Sequence, residues 1–229
     1  MKTIITSDIH GCSLELRGLL GKCELNKEED RLLILGDLFD RGLHSYEVFR
    51  QVEKLKAEMG ERLIIVRGNH DQFFLDNLKH QVSMALWAYN GGLKTIQSFE
   101  SHRQKPDIAR ELLENTPLYF EDEQFIAVHA GLVSDQMEEN TPEILLWDRT
   151  VTEGGYKGKI AIGGHTPMRQ PVFFMPDGNY LVLPYDARMS FPDRGFICID
   201  TGCVFGGALT GLVIEGDRFW LKEMRKKDY

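Results

Sequence analysis

The sequence predicts an α/β protein of the α+β kind, with two mostly β layers packed face to face and helices outside. Three observations predict it. The first third alternates short apolar runs with helical periodicity, the middle lacks strand signals, and the second half is a succession of short strands between turns. Taken in order, Lys2 to Ser7, Arg31 to Leu35 and Leu63 to Val66 read as buried strands. Between the last two, apolar residues at Val48, Phe49, Val52, Leu55 and Met59 give a helix with one face toward a core. Strand, helix, strand in succession implies parallel pairing, and ligands then collect beyond the carboxyl ends of the strands. Residues 71 to about 116 read as a helical insert. Beyond it, Phe125 to Val128, Lys159 to Ile162, Phe196 to Ile199 and Leu209 to Ile214 are strands, with turns at Asp177-Gly178-Asn179 and Glu215-Gly216-Asp217. No repeat, low-complexity tract or linker interrupts the chain, so residues 1–229 read as one domain.

Composition narrows the function classes. The 229 residues are 42% hydrophobic and 27% charged, which excludes bulk disorder. Twenty-seven basic against thirty-five acidic side chains give a net charge of −8, which argues against a non-specific nucleic-acid binder and against docking on an anionic membrane. The basic run Arg225-Lys226-Lys227 is too short to change that. No window approaches the ~18 apolar residues that span a bilayer, and the first residues lack the apolar stretch of a signal peptide. The four cysteines, Cys12, Cys23, Cys198 and Cys203, show no CxxC spacing and read as free thiols of a cytoplasmic protein. Cys12 falls at a predicted helix start, where a thiol becomes reactive, so mild oxidative sensitivity is expected there.

Every early strand ends in a polar cluster. The first runs into Asp8-Ile9-His10-Gly11, the second into Gly36-Asp37-Leu38-Phe39-Asp40-Arg41-Gly42, and the third into Gly68-Asn69-His70-Asp71. Two later strands end in His129-Ala130-Gly131 and Gly163-Gly164-His165-Thr166. Carboxylate, amide and imidazole without thiolate make a mixed O/N ligand set, suited to Mn, Fe or Zn and unsuited to an iron–sulfur cluster. Singly, Asp-x-His, His-Ala-Gly and Gly-His-Thr are weak signals. Gly-Asp-x-x-Asp-Arg-Gly fixes five residues, each with a background frequency of about one in fifteen, so a chance match in this chain is on the order of one in a few thousand. Five such clusters, each after an apolar strand, are not coincidence.

In this order the clusters resemble the phosphoprotein phosphatase family of calcineurin-like metallophosphoesterases, and within it the small bacterial and phage branch. Leu146-Trp147-Asp148-Arg149, Asn90-Gly91-Gly92 and Ile199-Asp200-Thr201-Gly202 extend the likeness over nearly the whole chain. The resemblance implies a four-layer sandwich of two mixed β-sheets flanked by helices. It implies two divalent metal ions, Mn first with Fe or Zn as alternatives, one held by Asp8, His10 and bridging Asp37, the other by Asp37, Asn69, His129 and His165. A metal-bridging hydroxide would then attack phosphorus directly, with no phosphoenzyme. His70 is the implied general acid, oriented and kept protonated by Asp40, and Arg41, Arg67 and Arg149 match the phosphate-gripping positions. Such a pocket is locally cationic inside an acidic protein, as a dianionic phosphomonoester requires. Two departures bear on substrate: Ser7 precedes the first ligand where the family has Gly, and Asp71 closes Gly-Asn-His where protein phosphatases more often carry Glu. That Asp also occurs in the related symmetrical diadenosine tetraphosphate hydrolases.

The leading expectation is therefore a cytoplasmic, dinuclear-metal phosphatase acting on phosphoserine or phosphothreonine in proteins. A symmetrical dinucleoside tetraphosphatase cleaving a dinucleoside polyphosphate anhydride is the second reading. A non-catalytic metal-binding scaffold and a nucleic-acid phosphoesterase follow, the latter weakened by net charge. In the insert, Phe73, Phe74, Trp87 and Tyr89 read mainly as core, with a substrate groove as the alternative, while His44, His80 and His102 read as solvated surface.

Overall fold

The computed structural model describes residues 1–226; Lys227, the end of the basic run, and the last two residues of the one-domain span lie outside them. The chain begins β1 (Thr3–Thr6), α1 (Ser13–Lys22), β2 (Arg31–Ile34), α2 (Ser45–Met59) and β3 (Leu63–Ile65). Helix α2 buries Val48, Phe49, Val52, Leu55 and Met59 on one face, and stops at Gly60, whose φ of +58° an L side chain resists. Helices α3 (Asn69–Leu78), α4 (Met84–Trp87), α5 (Leu93–Ser101) and α6 (Arg110–Glu114) follow, and the chain passes from α4 to α5 through a kink at Ala88–Gly92, where Gly91 has φ +106°. Then come β4 (Tyr119–Glu121), β5 (Ile126–Val128), α7 (Pro142–Trp147), β6 (Ala161–Gly163), β7 (Val172–Phe174), β8 (Tyr180–Val182), β9 (Met189–Ser190), β10 (Phe196–Cys198), β11 (Ala208–Glu215) and β12 (Arg218–Arg225). Thr141 caps α7 by accepting the Ile144 N–H, and Pro142 supplies a preset φ at the first helical position.

The strands form two six-stranded mixed sheets, ordered β3-β2-β1-β11-β12-β9 and β4-β5-β6-β10-β7-β8. In the first, β1, β2 and β3 are parallel and β11 returns antiparallel to β1. In the second, β5, β6 and β10 are parallel. Period-two alternation builds the layers. Ile4, Leu32 and Ile34 face α1 and α2 and pack with Leu16, Leu19, Val48 and Val52. Their neighbours Ile5, Leu33 and Leu35 face the other sheet and join Ala127, Ile162, Ile197, Leu212 and Leu221 between the sheets. On the far side, Ile126, Val128, Phe196 and Cys198 pack under Leu145, Val151 and Tyr156. Helix, sheet, sheet, helix is the four-layer sandwich the sequence predicts. Strands β4, β7, β8, β9 and β12 go beyond the predicted set. Tyr180, Leu181 and Val182 of β8 are a short apolar run left exposed at a sheet edge, and β12 sets buried Phe219 and Leu221 among Arg218, Trp220 and Lys222, so neither carries the pattern of a buried strand. Among the described residues no helix is long and apolar enough to cross a membrane.

Candidate metal centre and active site

Six parallel strands, three from each sheet, point their carboxyl ends at one rim. After β1 come Asp8 and His10, after β2 Asp37, Asp40 and Arg41, and after β3 Asn69 and His70. From the second sheet, β5 delivers His129, β6 His165 and β10 Asp200. The chain turns sharply at the exits of β1, β2 and β6. Asp8, His10, Asp37, Asp40, Arg41 and His165 all have φ between +43° and +67°, a left-handed conformation that costs non-glycine residues about 1–3 kcal/mol each. Backbone bonds lace the loops together against this strain: His10 N–H donates to Asp37 O at 2.8 Å and Gly164 N–H to His129 O at 2.7 Å. Gly164 is needed for close approach, since a Cβ there would collide with the Asp8 carboxylate.

The donor atoms converge on Asp37. Its Oδ2 lies 3.3 Å from His10 Nε2 and 3.6 Å from His129 Nε2. Both rings are held by Nδ1–H donated to backbone carbonyls, His10 to Phe39 O at 2.7 Å and His129 to Leu35 O at 2.8 Å, which turns both Nε2 atoms inward. Asn69 Oδ1 sits 2.8 Å from His129 Nε2 and 3.0 Å from His165 Nδ1. His165 N–H donates to Asp8 Oδ2 at 2.9 Å, joining the first loop to the last. All six side chains are buried. Burial alone would raise the Asp37 carboxyl, but His129, His70 and His10 around it hold it well below the usual carboxylate range. Burial and the neighbouring His129 and Arg149 push His165 down to about 3, whereas at His10, raised to about 9, and at His129 the Asp37 carboxylate outweighs burial.

These donors fit a pair of divalent ions. His165 Nε2 is buried without a hydrogen-bond partner, and ligand atoms of Asp37, His129 and His165 lie within 4.8 Å of one another, with Asn69 Oδ1 between the two imidazoles. Oxygen and imidazole donors without thiolate suit a divalent ion, and Asp37 Oδ2 faces both His10 and His129.

Beside this cluster stands a second buried pair. His70 Nδ1 lies 2.9 Å from Asp40 Oδ2, and a ring nitrogen of His70 falls within 4.8 Å of the ligand atoms of His10 and Asp37. The insert holds Asp40 from behind. Trp87 Nε1–H donates to both carboxylate oxygens at 3.1 and 3.2 Å, and Thr95 Oγ1 donates to Oδ1 at 2.7 Å while accepting the Asp40 N–H at 2.8 Å. Trp87 is core, as expected, and its indole N–H adds the bond to Asp40. Phe74 is core, Tyr89 is exposed, and Phe73 packs edge-on between His70 and Trp147.

Two of the three predicted arginines reach the site. Arg41 Nη1 lies 2.7 Å from His10 Nε2, with its Cζ 5.5 Å from the Phe205 ring, and Arg149 Nη1 donates to His165 O and Thr166 Oγ1, both at 3.0 Å. Both line a pocket of about 100 Å³ with Asp8, His10, His165 and Asp200. Arg67 is not brought there. Its guanidinium donates to Thr116 Oγ1, Gln72 Oε1 and the carbonyls of Leu113, Glu114 and Thr116, tying β3 to the end of α6.

The supporting roles of four residues escaped the sequence. Trp87 and Thr95 carry no motif, because the pattern that places them on Asp40 exists only in the folded insert. Asp71 has a signal, its place in Gly-Asn-His-Asp: its carboxylate accepts the N–H groups of Asp37, Leu38 and Gly68 at 2.9–3.1 Å, and burial together with the Asp37 charge pushes it up to about 7. Asp200 closes the last parallel strand; it is buried, accepts the Gly202 N–H at 2.9 Å, and is pushed up to about 8 by burial and by Asp8.

A double sheet whose parallel strands bring O/N donors to one rim defines a metallophosphoesterase, a phosphoester hydrolase. The chain belongs to the calcineurin-like phosphoesterase family, whose profile matches residues 1–208. It is 28% identical to the asymmetrical bis(5'-nucleosyl)-tetraphosphatase of Halalkalibacterium halodurans, covering 93% of this chain and 89% of that one. It is 29% identical to serine/threonine-protein phosphatase 1 of Salmonella typhimurium (90% and 88%) and 27% identical to the symmetrical bis(5'-nucleosyl)-tetraphosphatase of Vibrio parahaemolyticus (97% and 99%). Among solved structures, a metallophosphoesterase from Sphaerobacter thermophilus superposes with a TM-score of 0.67 at 17% identity, over 99% of this chain and 90% of that one. A cold-active protein tyrosine phosphatase superposes with a TM-score of 0.70 at 14% identity, over 98% and 78%.

Proposed function

We propose that the protein is a dinuclear metal-dependent phosphatase of phosphomonoesters, with phosphoserine and phosphothreonine in proteins as its substrates. The observation that carries this is the buried Asp40–His70 pair beside the ligand cluster. A serine or threonine alkoxide is a poor leaving group that needs a proton in the transition state, whereas the phosphate expelled from an anhydride does not. Asp8, His10 and Asp37 would hold one ion, and Asp37, Asn69, His129 and His165 the other, with Mn, Fe or Zn as the metals. Two such ions supply a nucleophilic oxygen at neutral pH and screen the phosphoryl charge. Arg41 and Arg149 grip the phosphoryl oxygens from the pocket they line. His70, its Nδ1–H held by Asp40, offers the proton at Nε2 to the departing oxygen. Four free cysteines support a reducing, cytoplasmic setting.

A second reading is a dinucleoside tetraphosphatase. Relatives of equal similarity carry that name, and Asp71 follows Gly-Asn-His here. Turnover of a phosphoserine peptide and of diadenosine tetraphosphate by Mn²⁺-reconstituted protein tests the two: the peptide is expected to be the better substrate, and exclusive anhydride cleavage overturns the first reading.

A further inference from the structure

Two thiols that the reaction does not use meet behind the phosphate pocket. Cys12 precedes α1 and follows the loop of Asp8 and His10, while Cys203 opens the 3₁₀ turn Cys203–Phe205 after Asp200. Both are buried, and their sulfurs and the Glu15 carboxylate lie within 4.8 Å of one another. The Lys226 ammonium is 3.4 Å from Glu15 Oε2 and 3.5 Å from Cys12 Sγ, so a cation of the chain itself already faces the carboxylate. Cys203 also lines the pocket of Arg41 and Arg149, which gives the pair a path from solvent.

The turn carrying Cys203 has room to move. It lies between Gly202 at φ +66° and Gly206 at φ +92°, no atom crowds Gly206, and Phe205 is 66% exposed. Closing the sulfurs from at most 4.8 Å to a bonded distance of about 2 Å is within reach of such a turn.

We propose that Cys12 and Cys203 are a modification site, forming an intramolecular disulfide when the protein meets a hydroperoxide. The O–O bond of the peroxide breaks as one sulfur takes its terminal oxygen and becomes a sulfenic acid, releasing an alcohol or water. The second sulfur then displaces that oxygen as water, so two thiols and one hydroperoxide give one disulfide, and both S–H protons leave in the two released molecules. The bond draws Cys203 toward α1 and carries Val204 and Phe205 with it, away from their places beside Arg41. A misplacement of ~1 Å in a clamp of this kind costs up to ~10²-fold in rate, so a loss on the order of tenfold is expected. The loss of turnover rests on the phosphatase reading; the cross-link does not.

The test treats manganese-loaded protein with hydrogen peroxide, maps its peptides without reduction, and follows hydrolysis of an aryl phosphate before and after dithiothreitol. The expected result is a Cys12–Cys203 cross-linked peptide, a loss of turnover that thiol restores, and no restorable loss in Cys12→Ser measured against its own untreated rate. The mapping of the natural chain stands even if that variant does not fold. Single oxidation of either cysteine without the cross-link overturns the proposal, as does a cross-link that leaves turnover unchanged. A third zinc ion per chain that Cys203→Ser loses would reassign the cluster to a metal and also overturn it. Protein inert toward every phosphate ester defeats the phosphatase reading, while the cross-link is still scored.

Discussion

Replacing Asp40 by Asn isolates the charge behind His70 with almost no change of shape. Asp40 is fully buried and accepts from His70 Nδ1, Trp87 Nε1 and Thr95 Oγ1. The asparagine amide can keep its oxygen toward His70 and Trp87 and turn its NH₂ toward Thr95, whose hydroxyl also accepts, so the packing survives. What is lost is the charge in the 2.9 Å bond to His70. A hydrogen bond to a charged partner contributes about 1.5–3 kcal/mol, which converts to roughly 10- to 150-fold in a step that needs the protonated imidazole. The expected outcome is a fall in kcat of that size for a phosphoserine peptide and at most about threefold for a nitrophenyl phosphate, whose leaving group needs no acid. Metal content, measured by plasma mass spectrometry, stays at the natural value. An equal fall for both substrates, or none for the peptide, refutes the role given to the pair.

Asp37→Asn removes the carboxylate facing both His10 and His129, so bound metal after gel filtration is expected to fall at both positions and activity to vanish; full occupancy with normal turnover counts against bridging. Gly164→Ala drives a Cβ against the Asp8 carboxylate and Ser7 Oγ, and overpacking of this kind costs about 1–3 kcal/mol, expected as a thermal midpoint lower by several degrees with weaker metal retention. An unchanged midpoint means the loop relaxes freely. Arg67→Ala and Arg149→Ala are expected to part company in a single assay. The first lowers the denaturant midpoint, with KM within about twofold, and the second raises KM about tenfold or more, the size of one charge-assisted hydrogen bond.

The sequence carries the proposed ligand cluster plainly because each donor follows an apolar run within a few residues, so local order and spatial order coincide. Ile4 and Ile5 announce β1, and Asp8 and His10 stand at its exit; the same holds at Asp37, Asn69, His129 and His165. Side-chain direction is the part that adjacency does not set. Arg67 directly precedes Gly-Asn-His, yet its backbone N–H pairs with Pro117 O and its guanidinium runs under the 113–116 turn, away from the ligands two residues on. Contacts between distant segments are likewise invisible: no spacing announces that Cys12 meets Cys203, or that β8 pairs along an exposed edge.

The insert shows where that hidden information acts. By composition it is a run of helices whose aromatics read as core or as groove, and its position in the fold gives it a different task. Gly91 O accepts the Arg41 N–H at 3.1 Å, Thr95 meets both the backbone and the carboxylate of Asp40, and Trp87 closes the remaining side. A side chain at Gly91 would strike Arg41, so the kink must stay bare for the helices to press on the β2 loop. Asp40 and Arg41 both sit in left-handed backbone, which a loop does not hold unaided, and the insert supplies the bonds that hold it there. Changes at Trp87, Gly91 or Thr95 should therefore reach the proposed proton donor and the proposed phosphate clamp Arg41 while leaving metal binding alone, a separation that no residue of the proposed ligand cluster can produce.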